Sequence, residues 1–135
     1  MVCREMGDKE EIPGLLHNLG YVANYYGDFP EALALFKEGL AIHQETGNLA
    51  GIAECLVGIA GVFLARSQVE KATRLLGAAK ALRESVGASL WPANQIEYDR
   101  ILARLKSSLD EPALTAAWAE GRAMSTEQAI AEASQ

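Results

Sequence analysis

The chain has 135 residues, half of them hydrophobic and 22% charged, with 18 acidic and 12 basic side chains for a net charge of −6. That is the length and composition of one ordinary globular domain, with enough chain for a core of its own. The basic residues are scattered singly, so the stripe that would displace counterions from phosphates is missing and direct nucleic-acid contact is not expected. No apolar run approaches the roughly 20 residues of a membrane helix, and MVCREMGDKEE lacks the apolar stretch of a signal peptide. A cytoplasmic protein is therefore expected, with no membrane partner. Cys3 and Cys55 have no CxxC spacing and no histidine close by, so both read as small hydrophobes and not as a disulfide.

The first eight residues align with Ala41–Asn48: Val2 with Ile42, Glu5 with Glu45, Gly7 with Gly47, Asp8 with Asn48. They read as the end of a helix, which makes the chain look like the C-terminal part of something longer. Asp8, with Glu11 three residues on, has the form of a capping box. It predicts a helix over 9–26, with Pro13 tolerated in its first turns and Leu16, Leu19, Ala23 and Tyr26 as its core stripe. Gly27 ends it. Asp28 then caps, Pro30 suits a first turn whose N–H is unpaired anyway, and Glu31 closes the box. The second helix is expected to bury Phe29, Leu33, Phe36, Leu40 and Ile42 and to stop at Gly47.

The chain then repeats itself. Gly7, Gly47 and Gly87 stand 40 residues apart. In that register Leu16 falls on Leu56, Leu19 on Ile59, Gly20 on Ala60, Ala23 on Phe63, Ala32 on Ala72, Phe36 on Leu76 and Gly39 on Ala79. A fixed period of this size, with small and apolar residues held, marks an array of helix pairs. A helix over 49–66 should turn Leu56, Ile59, Ala60 and Phe63 inward. Ser67 to Glu70 reads as another capping box, leading to a helix over 69–86. Glycines inside these helices each cost about 1 kcal/mol against alanine, so Gly20, Gly39, Gly58 and Gly61 imply close helix approach.

The third unit drifts. Leu90 and Trp91 form an apolar pair in a turn, and a helix follows to about residue 109 with Tyr98, Ile101, Leu102 and Leu105 inward. Asp110 caps the next, Pro112 sits in its first turn, and Leu114, Trp118 and Gly121 take the roles of Ala32, Phe36 and Gly39. Ser125 to Gln128 caps a last short helix to about residue 133. An atypical final unit suits a capping element that closes the chain's natural end.

The pattern Leu16-x-x-Leu19-Gly20-x-x-Ala23, Ala32-x-x-x-Phe36, and its echo Leu56-x-x-Ile59-Ala60-x-x-Phe63, Ala72-x-x-x-Leu76, resembles the tetratricopeptide repeat. Two features depart from that family: the first large position is never Trp, and no proline follows the second helix. The phrases REMGD, LGYVANYYGDFPEALALFKEGLAI and above all WAEGRAMSTEQAIAEA are similar to the C-terminal arm of LuxR-type and related signal-transduction ATPase regulators of bacteria. That resemblance implies a sensor or scaffolding arm, with the nucleotide- and DNA-binding parts outside this chain.

The expected fold is all-α, a right-handed superhelical stack of antiparallel helix pairs with about seven helices. It divides into a truncated unit (1–8), repeats at 9–48 and 49–88, a divergent third repeat (89–124) and a capping helix (125–135). No glycine-rich phosphate loop, GxSxG or HExxH is present, and His17 and His43 are the only histidines, so no enzyme, cofactor or metal site is expected. An enzyme would need a pocket enclosing His17 with a carboxylate such as Glu54. Binding is the stronger expectation. The groove-facing candidates are His17, Asn18, Tyr21, Asn24 and Tyr25 on the first helix, Glu54, Val57, Gly61 and Leu64 on the third, and Asp99, Arg100, Ala103 and Lys106 on the fifth. Gly58 and Gly61 opposite the tyrosines should leave room for a guest. A clamp for a peptide carboxylate is disfavoured by glutamate and glycine where lysine and asparagine would be needed. The occupant would be a protein or peptide, other domains of the same longer chain, or a second copy meeting the thinly covered end at Leu15, Leu19 and Phe36.

Overall fold

The computed structural model of the chain describes residues 11–87 and 92–134. Among them are seven helices: α1 (Glu11–Tyr25), α2 (Phe29–Thr46), α3 (Leu49–Ala65), α4 (Val69–Ser85), α5 (Pro92–Ser108), α6 (Glu111–Arg122) and α7 (Thr126–Ala133). No described residue is in a strand. Local chemistry sets most boundaries. The Glu31 N–H donates to Asp28 Oδ1 at 3.4 Å, Gly51 to Asn48 Oδ1 at 3.0 Å and Ala113 to Asp110 Oδ1 at 3.0 Å, each satisfying one orphan donor at a helix start. Ser125 and Gln128 complete a reciprocal capping box at α7. Gly27 and Gly47 leave their helices at φ 81° and 69°, the left-handed conformation that glycine adopts without a Cβ penalty.

The predicted capping box of α4 is not formed. Its N-cap is Gln68, whose side chain makes no cap bond, and Ser67 instead takes φ 66°. Ser67 stands one period after Gly27, so a serine occupies the left-handed position that glycine holds in the first unit.

Helix α3 is the centre. Every residue from Gly51 to Leu64 except Glu54 is buried, as expected of a helix that is apolar all round. It packs on α2 and α4 along its length and touches α1, α5 and α7. Leu56, Ile59, Ala60 and Phe63 are at most 1% exposed, as the repeat register requires. Phe36 of α2 is wholly buried between two helices that each yield a glycine. A Cβ on Gly20 of α1 would meet its ring at 2.8 Å, and one on Gly58 of α3 would meet it closer still.

Two expectations about α1 are overturned. Leu19 is 41% and Tyr26 79% exposed, not core residues. The stripe of α1 facing α2 and α3 holds Ile12, Leu16 and Gly20, while Leu19, Val22 and Tyr26 lie on a face that no described helix covers. Forty residues on, Ile59 and Val62 occupy the same places in α3 and are fully buried. Phe36, expected to be buried by α2 though thinly covered at this end, is wholly buried. Phe29, Leu33 and Ile42 are only half-buried.

The third unit is not a hairpin like the others. Helix α6 lies against α4 and hardly meets α5, which rests on α3 and α4. Glycine on each side makes that crossing close: a Cβ on Gly77 would lie 2.7 Å from the Trp118 carbonyl oxygen, and one on Gly121 would run into the Arg74 carbonyl. Arg74 also reaches Glu132 of α7 through Nη2 at 2.7 Å and Nε at 3.0 Å, and Arg122 pairs with Glu84 at 2.7 Å. Tyr98, Ile101 and Leu105 anchor α5, with the Arg83 guanidinium 5.0 Å over the Tyr98 ring. The Asp8 cap, the helix end at 1–8, Cys3 and the Leu90–Trp91 turn lie outside the described residues.

Candidate interaction groove

Helices α1, α3 and α5 adjoin one another, and two cavities lie along their shared side. The first, of about 220 Å³, is walled by Tyr21, Asn24 and Tyr25 of α1, floored by Gly61 and Leu64 of α3 and Ile101 of α5, and rimmed by Glu97, Arg100 and Arg104. Gly61 brings the floor close: a Cβ there would sit 3.2 Å from Ile101 Cδ1 and 3.8 Å from Asn24 Nδ2. The Tyr21 ring is held edge-on by Phe36 at 5.3 Å and by His17 at 4.8 Å, and edge-to-face aromatic contacts of this kind fix a ring's orientation. Its hydroxyl and Asn24 Oδ1 are both shut off from solvent and have no hydrogen-bond partner. Burial, aided by the nearby Glu97 carboxylate, pushes the Tyr21 phenol well above its ordinary value, so it stays protonated and able to donate. At the rim Arg100 donates to Glu97 Oε2 at 2.6 Å.

The second cavity, of about 520 Å³, brings together Pro13, Gly14, His17 and Asn18 of α1, His43 of α2, Asn48 before α3, Ala50, Gly51 and Glu54 of α3, and Asn94 of α5. His17 is only 8% exposed, its Nε2–H donating to Asn94 Oδ1 at 3.2 Å. Burial holds both His17 and His43 below the ordinary imidazole value and raises the Glu54 carboxyl. No hydrogen bond joins His17 to Glu54, so the shared pocket that an enzyme reading needs exists without the pairing that would activate either group.

The candidate residues therefore divide. Tyr21, Asn24, Tyr25, Gly61, Leu64 and Arg100 meet at the first cavity, and His17, Asn18 and Glu54 at the second. Val57, expected to face a groove, is 2% exposed and belongs to the core, because α3 is covered all round. The space beside Gly58 is taken by the Phe36 ring and admits no guest. Asp99, Ala103 and Lys106 are exposed but line neither cavity; Asp99 accepts from Gln95 at 2.9 Å. On α5 the polar residues at the rim of the first cavity are Glu97, Arg100 and Arg104, spaced three and four apart. Extending the stripe from Arg100 by one turn each way would have found them. His43 and Asn94 gave no such signal, since their places depend on how separate helices meet.

Helix pairs stacked side by side around shared apolar faces define an α-solenoid module, a class that presents surface to other proteins. The chain belongs to the tetratricopeptide repeat family, whose family model matches residues 11–85. Domains of this family bind protein partners, and that is the class of activity the chain carries. Among curated proteins it is similar to putative HTH-type transcriptional regulators of Mycobacterium bovis and Mycobacterium tuberculosis, each 35% identical over 106 residues. The match covers 76% of this chain and 11% of theirs, so the chain spans about a tenth of the length of these relatives. No solved structure matches the chain significantly. No described helix is long and apolar enough to cross a membrane.

Proposed function

We propose that this chain serves as a protein-interaction or sensor arm, the C-terminal part of a larger bacterial transcriptional regulator of the LuxR-type or related kind. The observation that carries the reading is its 35% identity, over 106 residues, to regulators of which it would form a tenth. The net charge of −6 accords with this, because DNA contact then falls to a separate helix-turn-helix domain. In this reading the units run 9–48, 49–88 and 89–124, with 125–135 as a cap, and the protein works in the cytoplasm. The test is the genomic sequence upstream of the Met1 codon. The reading expects the frame to run on into further repeats, a nucleotide-binding domain and a helix-turn-helix. An in-frame stop codon followed by a ribosome-binding site would overturn it.

One observation favours a second reading, a free-standing adaptor that self-associates. Leu19, Val22, Tyr25 and Tyr26 present an apolar face of α1 at 41%, 52%, 79% and 79% exposure, and contiguous apolar surface of this kind marks interaction sites. That reading expects a dimer by light scattering that Val22→Asp returns to monomer, and a monomeric parent chain would end it.

A further inference from the structure

We propose that the end of α1 and the adjoining side of α5 form a docking surface for an acidic protein segment, one that carries aromatic or aliphatic side chains among its carboxylates. The inference rests on the interaction-module reading and names the chemistry of the partner. Its ground is a pair of open aromatic rings beside a pair of arginines. Tyr25 and Tyr26 are each 79% exposed and stand edge-to-face, their ring centroids 5.3 Å apart. With Val22 they line a hollow of about 390 Å³ that Glu97 and Arg100 of α5 also border. That hollow shares Tyr25, Glu97 and Arg100 with the cavity of about 220 Å³, where Arg104 joins the rim. The two form one continuous surface.

The repeat register shows that a further helix pair would not cover these rings. Leu19 and Val22 stand one period before Ile59 and Val62, which are fully buried in α3, so a helix packed on α1 as α2 packs on α3 would bury them. Tyr25 and Tyr26 stand one period before Ala65 and Arg66. Those two are half-buried and exposed, although α3 has α2 beside it. A preceding repeat would thus leave both tyrosines open, and the continuation of the array does not account for them. Exposed aromatic surface of this kind marks a place where something binds.

Charge narrows the occupant. The chain has 18 acidic and 12 basic residues, yet this rim carries two arginines to one carboxylate. Arg100 and Arg104, four apart, share one face of α5. The mostly covered Glu97 accepts from Arg100 at 2.6 Å, while the described ion pairs leave Arg104 without a carboxylate. A guanidinium fork takes a carboxylate in two parallel hydrogen bonds, and tyrosine with arginine is the pairing that anchors protein interfaces. A nucleic acid could also use stacking and positive charge. Holding several phosphates takes a row of basic side chains, however, and this surface has two on a chain of net charge −6. A second copy meeting the same surface would bring both copies' arginines together with too few carboxylates to balance them.

The experiment is a fluorescence-anisotropy titration of the full chain against short labelled peptides, acetylated and amidated so that every carboxylate is a side chain. One interleaves glutamate with phenylalanine and leucine; a second replaces its glutamates by glutamine, and a third replaces its apolar residues by serine. The first should bind saturably and the others roughly tenfold more weakly, with the affinity falling as salt rises from about 50 to 500 mM. Arg100→Ala with Arg104→Ala should weaken binding roughly tenfold, and Tyr25→Ala with Tyr26→Ala at least about fivefold. All four side chains are exposed, so Tm should not move. Arg104→Lys, which keeps the charge, should retain most of the affinity. Equal binding of the glutamine peptide, no saturable binding of the glutamate peptide, or full affinity without the arginines would each overturn the proposal. So would tighter binding of a labelled oligothymidylate, or a dimer by light scattering that Tyr26→Ala dissociates. None of these results bears on the reading frame upstream of the Met1 codon, so the regulator-arm reading stands or falls separately.

Discussion

Among the glycines of the described residues, those at the crossing of α4 and α6 lie closest to another helix's backbone, and they give the sharpest stability prediction. Substituting Gly121→Ala places a methyl group against the Arg74 carbonyl, and the reciprocal Gly77→Ala places one 2.7 Å from the Trp118 carbonyl oxygen. Real contacts of a Cβ rarely fall below about 3.4 Å. A helix-borne carbonyl cannot rotate away, so the two helices must separate by roughly 1 Å, enough to forfeit a quarter to a half of the dispersion between facing side chains. Overpacking costs about 1–3 kcal/mol, and a rigid backbone partner puts this site near the upper end. Against that, alanine gains about 1 kcal/mol of helix propensity over glycine. The net expectation is a loss of about 2 kcal/mol, which for a domain of this length lowers Tm by roughly 6–10 °C. Gly14→Ala is the control: nothing lies within 4 Å of its Cβ, so propensity acts alone and it should stabilise by up to about 1 kcal/mol. Thermal and urea unfolding followed by far-UV circular dichroism decide the matter. If Gly121→Ala were as stable as the parent, the close crossing of α6 on α4 would be refuted.

Phe36→Ala should cost about 3–5 kcal/mol, because the ring is wholly buried and fills the space left by Gly20 and Gly58; a urea-unfolding loss under about 2 kcal/mol would contradict that packing. Ser67→Gly should stabilise by about 0.5–1 kcal/mol, since it relieves a left-handed conformation that costs a serine about 1–2 kcal/mol while adding some unfolded-state entropy; unchanged unfolding would count against the φ of 66°. His17 and His43 have folded pKa values lowered from 6.5 by burial, so the unfolded chain binds protons that the folded chain refuses. Stability should be full above about pH 6.5 and fall as pH drops from there toward the lowered values, and His17→Gln should flatten the slope. In a Cys3→Ser background, Cys55, 3% exposed and with its thiol pushed up to about 12, should react with a disulfide reagent only as fast as the helices open; rapid labelling of the native chain would show the α2–α3 contact to be loose.

Much of this fold is legible because its signals are local or periodic. Asp28, Asp110 and Ser125 cap helices through bonds spanning three residues, and a left-handed glycine is visible in the sequence itself. The buried stripe of α3 follows from helical spacing alone. What periodicity cannot say is whether a face has a neighbour. Leu19 and Ile59 carry the same signal one period apart, yet one is 41% exposed and the other fully buried, because α2 covers α3 while no described helix covers that side of α1. The same limit hid the parting of α5 and α6. Gly121 reads as one more small residue in register, but its effect is to draw α6 down onto α4.

The candidate site shows how a shared core residue ties two surfaces together. His17 and Tyr21 stand one helical turn apart on α1, and both rest edge-on against the Phe36 ring, at 5.5 Å and 5.3 Å. Each then borders a different cavity: His17 the one holding Asn94 and Glu54, Tyr21 the one rimmed by Arg100. Neither side chain can change its tilt without disturbing the other, since they also touch at 4.8 Å and the interior is close-packed. Sequence spacing places both on α1 but cannot separate them into two sites, because the partition comes from α5. Asn94 and Arg100, nearly two turns apart on that one helix, meet α1 at different heights and divide what would otherwise be a continuous groove. A partner that reads both cavities would therefore have to span α5, and one that reads a single cavity would leave the other free.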